Sequence, residues 1–125
     1  MNHLITLVRS WTVRLYRRAR CHSPSRISQV VNVSGREDLP GHLHPQRLYL
    51  LGGAMPKWAL LDCPCGRGHV IELNLANPAR TRWRVTTNDA GQPSVHPSID
   101  FQGEPRCHYW LDHGRVHWVR DRRAH

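Results

Sequence analysis

Short apolar segments separated by glycine, proline and charged residues constrain the fold of this chain more than any other feature. From Leu39 onward these segments are RLYLLGG, KWALLD, HVIELNL, RTRWRVTT, SVHPSIDF, RCHYWL and RVHWVR. Such short, partly alternating runs are typical of strands, and nine glycines and nine prolines favour turns over long helices. We therefore expect a mainly β protein: a small antiparallel sheet or partly open barrel of about five to six strands. The last two segments, joined by Asp-His-Gly, indicate a hairpin, although its turn is not the ideal two-residue form.

The positive charge of the chain is concentrated towards its ends. The formal net charge is +9, and residues 1–36 carry seven arginines and no acidic residue. Residues 37–125 carry eleven basic and nine acidic residues, which leaves the domain close to neutral. This distribution argues against a folded basic groove for nucleic acid, although the basic arm keeps nucleic acid open as a partner.

The same change of composition suggests three regions. We expect a basic arm and linker over 1–38, a β domain over 39–120 and a basic tail over 121–125. Within the arm, residues 3–20 have apolar side chains at helical spacing with arginines between them, which indicates a short packed helix or a disordered extension. A membrane-surface helix or a transit peptide is the alternative. No apolar run reaches the roughly 18 residues of a membrane span, no secretory signal is recognisable, and we expect a cytoplasmic protein.

Two cysteines one residue apart suggest half of a metal site. Cys63 and Cys65 lie in DCPCGRGH, where proline and glycine permit a tight bend that turns both sulfurs toward one point. The second half would be Cys107-His108, provided that a bulge or an irregular strand start lets these adjacent residues face the same way. His69 is the substitute fourth ligand, followed by His96. A redox pair and two unrelated buried thiols are the alternatives.

The motifs taken together resemble a family of small bacterial and phage proteins of unknown function, sometimes encoded beside ubiquitin-like conjugation genes. The resemblance covers roughly residues 39–119. It rests on the Cys-x-Cys-Gly knuckle, a tryptophan-containing strand, Pro97-Ser98-Ile99, and the closing Cys/His-Tyr-Trp and Gly-Arg-Val-x-Trp motifs. Arg67 stands where the family often has a third cysteine, and the two residues that usually separate Cys107 from His108 are missing. The resemblance implies that Cys63, Cys65, Cys107 and His108 bind Zn²⁺.

The gene neighbourhood of that family implies a peptidase that processes or removes a ubiquitin-like modifier. Ser98 is the candidate nucleophile, with His96, His113 or His117 as its base, since His108 would be bound to metal. Its alternative role is a hydroxyl that caps a turn after proline.

A second catalytic route is an open zinc site that holds a water, with Glu72 or Asp100 as general base. Two other functions are also considered: a non-catalytic zinc-binding module that docks a protein partner, and a zinc ribbon that binds nucleic acid through the basic arm. For four tryptophans we expect core packing: Trp58, Trp83, Trp110 and Trp118.

Overall fold

The computed structural model describes residues 26–120, which form two four-stranded β-sheets. The strands are β1 (Gln29–Val33), β2 (Arg47–Leu51), β3 (Trp58–Asp62), β4 (Val70–Asn74), β5 (Arg84–Thr87), β6 (Pro93–Phe101), β7 (Cys107–Asp112) and β8 (Arg115–Trp118). The mainly β prediction is confirmed, with eight strands and, among the described residues, no closed barrel. The one helical element among the described residues is the 3-10 turn Arg36–Asp38. No helix in this part of the chain is long and apolar enough to cross a membrane. The predictions for residues 3–20 and for the tail 121–125 lie outside the described residues.

The first sheet has the strand order β1-β2-β3-β4, and the second has the order β5-β6-β7-β8. All neighbouring strands are antiparallel except β1 and β2, which are parallel. Strand β1 lies in the segment where the sequence suggested a linker. Just before it, Ile27 is fully buried and Arg26 forms a β-bridge with Arg115 of the second sheet. The chain from residue 26 onward therefore packs with both sheets.

The main core lies between the sheets. The first sheet contributes Leu48, Leu61 and Leu73, and the second contributes Ile99 and Tyr109, all at most 2 % exposed. The opposite face of the first sheet is covered as well, because a second apolar cluster forms there beneath the segment that joins β1 to β2. The opposite face of the second sheet remains open to solvent. This difference explains why β2 and β3 are continuously apolar while β7 alternates.

Truncating the centre of this core should destabilise the whole protein. Leu61 has no exposed surface, and we expect Leu61→Ala to lower the free energy of unfolding by about 2–5 kcal/mol, since it leaves a cavity. The matched control is Val70→Ala on the neighbouring strand, where the side chain is 49 % exposed and the expected change is about 0.5 kcal/mol or less. Chemical denaturation of both variants measures the difference, and equal losses would contradict this description of the core.

The turn between β7 and β8 is tighter than the sequence suggested. It consists of two residues, His113 and Gly114, both with positive φ (48° and 78°), as a primed hairpin turn requires. A Cβ on Gly114 would lie 3.0 Å from the carbonyl oxygen of Ile27, so glycine is needed for close approach as well as for backbone conformation. This turn sets the register of β7 against β8.

Candidate active site and metal centre

An irregularity in β6 presents Ser98 at the surface of the second sheet. Val95 pairs with Leu111 and Ile99 pairs with Tyr109, so β6 uses four residues where β7 uses two. The two additional residues interrupt the ladder around residues 96–98. Irregularities of this kind redirect side chains in a strand. Ser98 is consequently half-buried on the face away from the core, although its neighbour Ile99 is buried.

Ser98 and His108 form a hydrogen-bonded pair. The Oγ of Ser98 lies 3.0 Å from Nε2 of His108, within the range expected for a nucleophile and its general base. With the proton on Nδ1, Nε2 accepts the hydrogen bond that the hydroxyl donates. Cys107 points into the core, and the alternation along β7 places His108 on the opposite face with Ser98. This arrangement can remove the proton from the serine hydroxyl.

A carboxylate lies close to the imidazole of this pair. Asp100 is the register partner of His108, and it accepts two hydrogen bonds from Arg106, at 2.9 and 2.7 Å. The hydrogen bonds from Arg106 lower the pKa of Asp100, against a smaller opposing effect of burial, and the charge of His108 acts in the same direction as Arg106. Asp100 therefore stays ionised at neutral pH and places a negative charge opposite His108 in the register of the two strands.

Trp83 lies directly before the edge strand β5 and holds the main chain at Ser98 in place. Its indole Nε1–H donates to the carbonyl oxygen of Ser98 at 3.2 Å, and its ring is half-buried. Sequence reasoning assigned Trp83 to the core and missed this contact, since no local motif links two residues fifteen positions apart. The alternation of RTRWRVTT does place Trp83 on the apolar side of its segment, which was the available signal.

A separate cluster brings three cysteines and a histidine together. The ligand atoms of Cys63, Cys65, His69 and Cys107 all lie within 4.8 Å of one another. The local geometry is that of a knuckle: the N–H of Cys63 donates to the carbonyl of His69 at 2.8 Å, and the N–H of Gly66 donates to the carbonyl of Cys63 at 3.1 Å. Gly66 has φ of 75°, which glycine adopts without strain. Strand β7 brings Cys107 to this knuckle from the other sheet.

Burial dominates the electrostatics of the cysteine cluster. Burial, the largest cause, raises the pKa of the Cys63 and Cys107 thiols. The neighbouring Cys65 thiol raises both pKa values further, whereas a hydrogen bond with Cys63 opposes the shift at Cys107. The buried hydroxyl of Tyr109 has no nitrogen or oxygen as a hydrogen-bond partner. Burial raises its pKa, and the neighbouring Cys63 raises it further. A thiolate at Cys63 would accept the hydrogen bond that this hydroxyl can donate. Converging thiols with an unused donor beside them fit a site in which a metal holds the sulfurs deprotonated.

The distances in the cluster are consistent with a tetrahedral ion. A Zn–S bond of about 2.3 Å implies sulfur–sulfur separations of about 3.8 Å, which the observed atoms reach with shifts of about 1 Å or less. Two of the cysteines, Cys63 and Cys107, are almost fully buried. Four protein ligands complete a tetrahedron, as in structural zinc sites.

The structure divides the predicted ligand set between two sites. Cys63, Cys65 and Cys107 lie together with His69, the substitute that the sequence offered, whereas His108 forms its hydrogen bond with Ser98. The reason is the alternation of β7, which turns adjacent side chains to opposite faces.

The other histidines proposed as a base have different neighbours. The ring of His96 lies 5.8 Å from that of Trp110, His113 is paired with Asp112, and His117 is the register partner of Trp110. Neither Trp110 nor Trp118 is a core residue, since they are 41 % and 44 % exposed. Within residues 26–120, the Ser98 hydroxyl is hydrogen-bonded to His108 and to none of these three histidines.

The two candidate carboxylates of the second route are both in ion pairs. Glu72 accepts from Arg36 at 2.9 Å, and Asp100 binds Arg106. A cleft of about 810 Å³ lies on the first sheet, and its lining includes Glu72 and Cys65 but neither Ser98 nor His108. The serine–histidine pair is thus separate from that cleft.

The sequence was compared with known protein families, curated proteins and solved structures. A family described as "Bacterial ubiquitination-like system serine protease (BubE)" matches residues 35–119. The searches of curated proteins and of solved structures returned no match. The matched range contains every residue of the serine–histidine pair and of the cysteine cluster.

Proposed function

The chain belongs to this family of bacterial ubiquitination-like system serine proteases, and we propose that it is a peptidase that processes or removes a ubiquitin-like modifier. The observation that carries the assignment of its active site is the 3.0 Å hydrogen bond between Ser98 and His108. In a family of serine proteases, a serine bonded to a histidine on an open sheet face is the candidate catalytic pair. Its position on the solvent-facing side of the second sheet leaves room for a polypeptide substrate.

The proposed chemistry follows from this pair. Nε2 of His108 takes the proton of the Ser98 hydroxyl while Oγ forms a bond to the carbonyl carbon of the scissile peptide. The protonated His108 gives that proton to the departing amine as the carbon–nitrogen bond breaks, which leaves an ester on Ser98. Water then hydrolyses the ester, again with His108 as base. The charge of Asp100 stabilises the imidazolium in both stages.

We also propose that Cys63, Cys65, His69 and Cys107 bind one Zn²⁺ with a structural role. The convergence of four ligand atoms and the unused hydroxyl beside Cys63 support this assignment. A bound zinc would supply a cross-link between the knuckle and β7. Because Cys107 is adjacent to His108, that cross-link would also fix the strand position from which His108 reaches Ser98.

A cleavage assay tests the proposed function. The full-length protein is incubated with a ubiquitin-like protein of this system that carries a C-terminal reporter, and products are identified by intact mass. We expect release of the reporter at a single bond, together with labelling of Ser98 by a fluorophosphonate, a reagent that reacts with activated serines. Absence of both would favour the non-catalytic, zinc-stapled interaction module.

Removing the indole donor of Trp83 should slow the chemistry more than it weakens the fold. Trp83→Phe keeps an aromatic ring but deletes the hydrogen bond to the carbonyl of Ser98. We expect about a tenfold lower rate of fluorophosphonate labelling, since Ser98 is less well positioned, and a loss of about 1 kcal/mol in the free energy of unfolding. The matched control is Trp58→Phe in the other sheet, where labelling should be unchanged. Equal labelling rates in both variants would assign Trp83 to packing alone.

A further inference from the structure

A cleft lined by residues of both sheets begins next to Ser98. It has a volume of about 530 Å³, within the range of ligand sites, and its lining includes Pro97, the residue before Ser98. Another of its walls is Trp83, whose indole binds the carbonyl of Ser98. A side chain held in this cleft would therefore lie beside the main chain that carries Ser98.

The cleft combines an apolar wall with a cationic rim. Leu50, Leu75 and Val85 are half-buried and line it, while Arg82 and Arg84 are exposed at its edge. No acidic residue is among the lining residues. Within residues 26–120 the ion pairs of arginine involve Arg36 and Arg106, so neither Arg82 nor Arg84 has a carboxylate partner there. The cleft is complementary to a side chain with an apolar stem and a negatively charged end.

The register of the sheet extends this surface toward the catalytic pair. Arg84 lies directly opposite His96, and the ring of His96 contacts Trp110. These three exposed side chains form a row across β5, β6 and β7, beside the residues Ser98 and His108. An extended substrate segment that crosses this face would pass the guanidinium of Arg84 on its way to Ser98.

We infer that this cleft is a specificity pocket that binds an acidic residue, aspartate or glutamate, of the substrate polypeptide close to the scissile bond. The inference rests on the proposed peptidase function for its place in the reaction, but binding of an acidic peptide follows from the cleft alone. Arg82 and Arg84 bind the carboxylate, and the apolar wall packs against the stem of the side chain and its neighbour.

Peptide selection on an inactive background tests the inference without requiring cleavage. The full-length Ser98→Ala protein is exposed to a pool of random short peptides at about 0.15 M salt, which reduces long-range attraction by the basic arm. We expect retained peptides to be enriched in aspartate and glutamate over asparagine and glutamine. In the additional variant Arg84→Gln the enrichment should fall about fivefold, as expected for loss of one exposed charge-assisted contact.

The matched control separates the cleft from net charge. Arg80→Gln removes the same charge from an exposed residue of the neighbouring loop that does not line the cleft, and it should leave the enrichment unchanged. The reversal Arg84→Glu should shift the selection from acidic to basic residues. Equal effects of Arg80→Gln and Arg84→Gln on the enrichment would overturn the inference. An enrichment that persists in Arg84→Gln would also overturn it. Binding of an oligonucleotide in the cleft instead of acidic peptides would overturn it as well.

Failure of the inference is distinguishable from failure of the proposed function. Fluorophosphonate labelling of Ser98 in the unmodified protein, without enrichment of acidic peptides, would refute the specificity pocket and support the peptidase. Acidic enrichment that depends on Arg84, without labelling or cleavage, would support the pocket and refute the peptidase.

Discussion

Ser98→Ala is expected to lower the rate of substrate cleavage by about a thousandfold or more and to abolish fluorophosphonate labelling, while the protein stays folded. The substitution removes the atom that would form the ester, whereas Ser98 is half-buried and its hydroxyl is bonded to one side chain, His108. The unfolding free energy should therefore change by about 1 kcal/mol at most. His108→Gln should cause a loss of similar size, and the double variant should be no worse than either alone, because the two residues act as a unit.

The matched control lies on the same strand. Ser94 Oγ accepts a hydrogen bond from the backbone N–H of His113 at 2.9 Å, so Ser94→Ala also deletes a bonded serine hydroxyl of β6. It should leave labelling and cleavage unchanged. Intact mass after labelling locates the reactive serine directly. A Ser98→Ala protein that is still labelled or still cleaves substrate would exclude Ser98 as the nucleophile.

The second large effect concerns the cysteine cluster. Cys65→Ser is expected to remove the bound zinc and to destabilise the protein by an amount on the order of 5 kcal/mol, because a serine hydroxyl does not replace a thiolate ligand. This is comparable to the whole stability of a small domain, so a large fraction of the variant should be unfolded. Catalysis should be lost with the fold, since Cys107 and His108 are adjacent on β7.

Metal content and thermal unfolding measure this effect. We expect one zinc per chain in protein purified without added metal, and none in Cys65→Ser; a chelator should reproduce the loss of stability. Cys21→Ser is the matched control, because residues 26–120 already supply four ligands, and it should keep both zinc and stability. A Cys65→Ser protein that loses zinc but unfolds at the same temperature would refute the structural role, and wild-type protein without metal would refute the site.

Local patterns account for the parts of the structure that sequence analysis anticipated. The alternation in segments such as RCHYWL predicted the strands of the second sheet, and the proline and glycines around Cys63 and Cys65 predicted a tight bend. Ser98 was identified through the resemblance carried by Pro97-Ser98-Ile99. For the strands and the bend the information lies within a few consecutive residues, where backbone preference and side-chain period act directly. For Ser98 it came from a combination of motifs over roughly residues 39–119.

Cys107 and His108 are adjacent in sequence but belong to different sites, which local sequence patterns did not predict. Adjacency in the sequence suggested that both residues bind one metal, although a regular strand turns them to opposite faces. Only the structure shows that β7 is regular there and that the irregularity lies in β6, where it turns the half-buried Ser98 away from the core. Whether His69 or His108 lies with the three cysteines therefore depends on which strand is irregular, β6 or β7.

The sequence by itself determined that this chain is mainly β, that Cys63 and Cys65 lie on one bend, and that Ser98 is the serine to test. The tertiary structure decided which residues surround them: His69 beside the cysteines, His108 beside Ser98, and Trp83 against the Ser98 carbonyl. These contacts depend on strand register and on the packing of the two sheets, since both are set by many weak interactions between residues distant in sequence.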